Sequence, residues 1–297
     1  MNQRSSQQTD IVQTYLDTGD HDPSFAGWPG NTFLEIARDG SNALREALIR
    51  EVRTRTSSAL VPRTLPANEV RSLTRVKVAP MVAGLFPAAE QPAVLNVVEQ
   101  SVVFLRPETI ETVLRSTPWL RTIWSLANLY LVSLNCEPLS THVPPIVGLS
   151  QGTTCYVCLD YWEHQDEFAD YIVHEAAHIF HNAKRTTVGL PQIRRSEWLL
   201  DIDYRKRETF AYACEAYSRI LAISATPLQR RAALAHHAAG ALPPDPLVDH
   251  DEYLDILTDA VRARNGWKRI LRRCAPLAPS RSRLQAPYLS TMLKQPL

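Results

Sequence analysis

The stretch IVHEAAHIFHNAKR, residues 172–185, most restricts what this chain can become. Ile172, Ile179, Ala176 and Ala177, with Phe168 just upstream, call for a helix seated in a core, yet the same segment carries His174, Glu175 and His178. Polar groups in such a setting need partners. The spacing supplies one: residues four apart on an α-helix share a face about 6 Å apart along the axis, so the imidazoles of His174 and His178 can converge on one metal ion. Glu175, turned about 100° from His174, flanks that ion and is placed to hold a reacting water instead of binding the metal. The alanines between the ligands leave room for the ion. His181 lies too far along the axis to reach it and is left as an outer partner, a cleft wall or a solvated side chain.

The rest of the composition sets ordinary limits. With 297 residues, 45% hydrophobic and 21% charged, the chain suits one large domain or two modest ones. A net charge of +1 gives no overall field for nucleic acid or membrane. The first twenty residues lack a basic segment followed by an apolar run, and TIWSLANLYLVSL, preceded by Arg121, is too short to span a bilayer. Five cysteines, an odd number, give no disulfide framework, and Cys155 and Cys158 form a C-x-x-C without a second pair, so both read as strand cysteines. The expectation is a cytoplasmic protein.

Along the chain, the first thirty residues are polar and turn-rich and read as a loose arm. TFLEIARDGSNALREALIREV reads as helix, with Gly40 as a potential break. Residues 60–92 carry several prolines and read as a connection. A β-branched run ending at Leu105 predicts a short strand, and two helices follow, broken at Pro118. After the Pro-rich loop PLSTHVPPIVGLSQG, the run TTCYVCLDYW predicts a strand immediately before the His-Glu-x-x-His helix. Further helices are expected near 203–221, 226–240 and 250–274.

The order of strand, acidic turn and His-Glu-x-x-His helix resembles that of zinc peptidases. Metzincins continue with glycine and histidine at what are here His181 and Lys184, and no methionine is placed for their Met-turn, so that pattern is excluded. The segment DYRKRETFAYACEAYSRIL, residues 203–221, instead resembles the later helix of gluzincins, whose glutamate completes the metal site. Glu208, thirty residues after His178, matches the Glu-x-Phe-Ala form of toxin-like members, and Glu215 lies two turns on along the same face. The thermolysin-like form would need asparagine, serine and aspartate where Arg207, Ala211 and Tyr212 stand, so the carboxylate that orients a zinc histidine is left open among Glu215, Asp201 and Asp203.

What the resemblance implies is an α+β, mostly helical protein. Its zincin-like domain, with a small sheet, covers residues 66–225. A polar arm and helical segment (1–65) and C-terminal helices with a basic tail (226–297) pack on that domain. Zinc is expected on His174, His178 and Glu208, with Glu175 as general base, an oxyanion donor in Tyr204 or else Tyr212, and a protein or peptide as substrate. The strand around Tyr156 is the candidate edge for an extended peptide. Two other readings exist: a zincin-fold regulator that keeps the metal without catalysis, and a nucleic-acid-associated factor using the basic residues that follow Asp259, among them Arg262, Lys268, Arg281, Arg283 and Lys294. That basic segment reads first as a solvated face, balanced by the acidic run 160–175, which makes nucleic acid an unexpected partner.

Overall fold

The helix that carries the metal motif is buried from Ile172 to His181, so the architecture is a set of layers built to cover it. The computed structural model describes residues 3–59, 67–140, 148–151, 153–157, 166–193 and 196–276. Within them the order is α1 (Gln3–Thr18), α2 (Phe33–Thr56), α3 (Ala67–Leu85), α4 (Gln91–Ser101), β1 (Val102–Phe104), α5 (Ile110–Ser116), α6 (Leu120–Ser133), β2 (Gly148–Gln151), β3 (Thr154–Val157), α7 (Tyr171–Asn182), α8 (Arg207–Ile223), α9 (Pro227–Ala239), α10 (His250–Arg262) and α11 (Gly266–Cys274). The protein is therefore mostly helical with one small sheet.

That sheet has the order β1-β3-β2, with β1 parallel and β2 antiparallel to β3. Tyr156 pairs with Val103 on one side and Leu149 on the other, so the strand expected to offer a free edge is the central one. The edges are β1 and β2, and β2, the one against α7, lies in what reads as a Pro-rich loop. Helix α7 packs on β2 and β3 with one face and on α8 with the other, while α3 crosses behind it. Ile172, Val173, Ala176, Ala177, Ile179 and Phe180 are all fully buried there. At about 25 cal/mol per Å² of apolar surface, this face alone accounts for several kcal/mol of packing.

Several sequence expectations are corrected. The polar arm is helix α1, because Tyr15 is fully buried and its hydroxyl donates to Leu120 O at 2.8 Å. Gly40 does not break α2, which runs on from a capping box of Thr32 and Glu35; the missing side chain makes room for Phe25 and Trp28. The Pro-containing connection is largely α3, with Pro80 inside the helix. The expected single helix 250–274 is divided, since Asn265 caps α11 after α10 has ended at Arg262. The breaks on either side of Pro118 and the start of α9 after Thr226 fall where the sequence places them.

One apolar core runs from Tyr15 to Cys274. Among the basic residues near the end, Arg273 is held by Asp255 and Asp259 of α10, each at 2.8 Å. Arg281, Arg283, Lys294 and Cys158 lie outside the described residues. No described helix is long and apolar enough to cross a membrane.

The contact of α3 with α11 is testable, because a Cβ at Gly84 would lie 2.0 Å from Trp267 Cδ1. Gly84→Ala should destabilise the protein by about 1–3 kcal/mol, seen as a lower urea midpoint at unchanged slope. An unchanged midpoint would mean that these two helices do not pack as described.

Candidate metal centre

Two helices bring the donor atoms together. His174 and His178 project from one face of α7, and Glu208 comes from the first turn of α8. His174 Nε2 and His178 Nε2 are 3.2 Å apart, and Glu208 Oε2 stands 3.4 Å from the second and 3.8 Å from the first. Ligands each about 2.1 Å from a tetrahedral ion are separated by about 3.4 Å, so the three atoms fit a single ion. Among the described residues this is the group that could hold a metal. Glu215, the other carboxylate that the sequence offers as third ligand, lies behind the ring, with Oε2 3.1 Å from His174 Nδ1.

The partners of the two histidines define which nitrogens face the site. His174 Nδ1–H donates to Glu215, which leaves Nε2 for the ion. His178 Nδ1 is 3.0 Å from His181 Nε2, and His181 Nδ1 is 3.1 Å from Asn182 Oδ1. Donation along this chain from His178 to His181, and from His181 to Asn182, leaves His178 Nε2 for the ion as well. His181, too far away to be a ligand, is thus the group that orients one. Burial lowers its pKa to about 3, with the charges of His178 and Arg207 adding to the effect, so it stays neutral. Asp203 caps the 3-10 turn Tyr204–Lys206, and neither it nor Asp201 hydrogen-bonds a site histidine.

The field of the site is that of a place for a cation. Burial alone would lower the pKa of His174, but hydrogen bonds to Glu208 and Glu215, with the charges of Glu215 and Glu175, raise it to about 10. Burial would raise that of Glu208, yet the same two histidines hold it far below the usual carboxylate range. Without an ion, a proton on His174 satisfies the carboxylates.

Glu175 sits differently. It is buried, which raises its pKa, and its Oε2 has no hydrogen-bond partner among the described residues. Gly148 of β2 lies against its back, where a Cβ would come within 2.6 Å of Glu175 Oε1. Tyr204, on the rim of the cleft, is 80% exposed with Arg207 over its ring. Tyr212 is the nearer tyrosine: its ring meets that of His174 edge-on at 4.4 Å between centroids, and burial raises its pKa.

The three candidate ligands, Glu175, His181, Tyr204 and Tyr212 line one cleft of about 450 Å³, together with Leu149, Tyr171 and Asp245. A more apolar cavity of about 410 Å³ adjoins it, sharing Tyr171 and Tyr212, with Phe168, Leu242 and Pro243 on its walls. Sequence reasoning does not single out Gly148, Asp170 or Lys77. Asp170 precedes α7; its N–H donates to Glu215 Oε1 at 2.6 Å and its carboxylate pairs with Lys77 of α3. Only the lysine's position in a helix that was itself missed would have pointed to this pair.

No family model matches the chain, and neither a curated protein nor a solved structure matches it.

Because Glu215 holds the ring of His174, Glu215→Gln should weaken metal binding about 10–100-fold, whereas Asp201→Asn and Asp203→Asn should leave it unchanged. Competition with a chromophoric zinc chelator measures all three. Equal affinities for wild type and Glu215→Gln would refute the assignment.

Proposed function

We propose that this chain is a zinc-dependent metallopeptidase with a zincin-like catalytic region and the gluzincin ligand set: His174, His178 and Glu208 hold the ion, and Glu175 handles the proton. The observation that carries this reading is the convergence of three ligand atoms beside a buried, unpartnered carboxylate oxygen in an open cleft. A zinc ion bound there supplies a Lewis acid for the scissile carbonyl and brings the pKa of a water toward about 7.

The protein's own groups do the remaining work. Glu175 Oε2 takes a proton from the attacking water and gives it to the leaving amine nitrogen. Burial tunes the carboxyl for both transfers, since a raised pKa makes the ionised form a stronger base. Tyr212 places its phenol beside His174 and donates to the oxygen on which negative charge develops. Tyr204 is the weaker candidate for that role, because its exposed ring is engaged by Arg207 at the rim. The outer edge of β2 receives an extended peptide through main-chain hydrogen bonds, and the apolar cavity beside Tyr171 and Tyr212 receives a side chain.

Incubation with a proteome followed by mapping of new N-termini tests the activity. Cleavage should disappear with chelator and return with zinc. Glu175→Gln should keep its zinc while losing at least 100-fold in rate, and Tyr212→Phe should lower kcat by about two orders of magnitude with Tyr204→Phe near wild type. A Glu175→Gln variant that cleaves normally would overturn the mechanism. One that preserves the protein's biological effect would favour a non-catalytic metal-holding role.

A further inference from the structure

The cleft holds two arginines that the proposed hydrolysis does not use. Arg207 immediately precedes the proposed ligand Glu208, and Arg205 lies two residues before Arg207; both line the cleft. Among the described residues neither has a carboxylate within ion-pair distance, unlike Arg185, held by Glu90 at 2.6 Å, and Arg273, held by two aspartates. Arg207 Nε is buried and has no hydrogen-bond partner there. Its guanidinium carbon lies over the Tyr204 ring, 5.1 Å from the centroid, so the tyrosine helps to hold the group at the cleft.

The neighbouring wall carries donors too. The side-chain oxygen of Asn182 is taken by His181, which leaves its amide N–H groups, and Asp245, which lines the cleft besides Glu175 and Glu208, accepts from Leu247 N at 2.7 Å. A buried polar group without a partner calls for an explanation, and a stacked guanidinium is suited to two parallel hydrogen bonds with a planar anion.

We infer that the cleft selects substrates bearing a carboxylate close to the scissile bond, received by Arg207 with Arg205 beside it. This rests on the metallopeptidase reading and adds the substrate class: an acidic peptide, the carboxylate coming from an aspartate or glutamate side chain or from a chain terminus. Arg207 is then a specificity residue that acts on binding and not on the proton transfers.

The test uses the zinc-loaded full chain and three short peptide hydroxamates that share one parent sequence. One ends in a carboxylate, one in a carboxamide, and one in a carboxamide with a single aspartate. At least one anionic probe should bind about 10–100-fold more tightly than the neutral one, and the one that does identifies a terminal or a side-chain carboxylate. Arg207→Gln should abolish the preference with zinc content and neutral-probe affinity unchanged, Arg207→Lys should keep part of it, and Arg205→Gln should reduce it. Equal binding of all three probes by wild type, or a preference that survives both Arg207→Gln and Arg205→Gln, overturns the inference while leaving the metal site standing. If Arg207→Gln does not fold, full preference in both Arg207→Lys and Arg205→Gln overturns it equally. Failure of every hydroxamate to bind would instead remove the metal reading, and this inference with it.

Discussion

The arrangement depends on one buried carboxylate. Glu215 sits in the interface between α7 and α8, where its Oε1 accepts from the backbone of Asp170 and its Oε2 from His174 Nδ1. A charge so placed is expensive unless it is fully bonded. Here the two bonds reach the start of α7 and its first histidine, so one side chain fixes both where that helix begins and how its ligand is turned. Lys77 closes the network by pairing with Asp170 from α3. Registration of α8 against α7 then follows, and with it the position of Glu208 seven residues before Glu215, two turns back on the same face.

Three carboxylates, Glu175, Glu208 and Glu215, crowd this small volume, and no apolar packing compensates their mutual repulsion. Without an ion His174 does so by taking up a proton, as its raised pKa records. A divalent ion in the same place would answer two of these demands at once, since it would neutralise Glu208 and return the His174 imidazole to the neutral form that binds metal. The third carboxylate, Glu175, is left out of this exchange. Among the described residues it has no arginine or lysine partner and keeps one oxygen unbonded, which fits the proton-transfer role proposed for it.

What could be read from the sequence follows from how local each signal is. His174, His178 and Glu175 are legible because their geometry is set within one helical turn, and Glu208 follows from the helical period of α8 together with a resemblance. Glu215 could be named but not placed, since period alone puts both glutamates on one face, and only the packing of α7 against α8 decides which one joins the two histidines at the candidate site and which one backs the ring. Tyr212 and Tyr204 differ for the same reason: the second lies in a 3-10 turn that carries it to the rim. Helices α1 and α3 were missed because tertiary burial overrides composition. Tyr15 and the α3 residues Val78, Met81 and Val82 are fully buried in segments otherwise rich in polar residues or proline.

Strand β2 is the clearest case of long-range physics hidden in a short segment. Four residues, one of them glycine, carry no periodicity, and prolines precede them. Yet Gly148 is where this edge strand approaches the helix so closely that any side chain would collide with Glu175. The absence of a Cβ therefore does two things at one point. It lets an edge strand of the sheet run alongside the motif helix, and it leaves Glu175 wedged between backbone and core with its second oxygen turned away from any partner among the described residues. A peptide added to that edge would bring its carbonyls past the same carboxylate, so the contact that buries Glu175 is also the one that would set the distance between substrate and base.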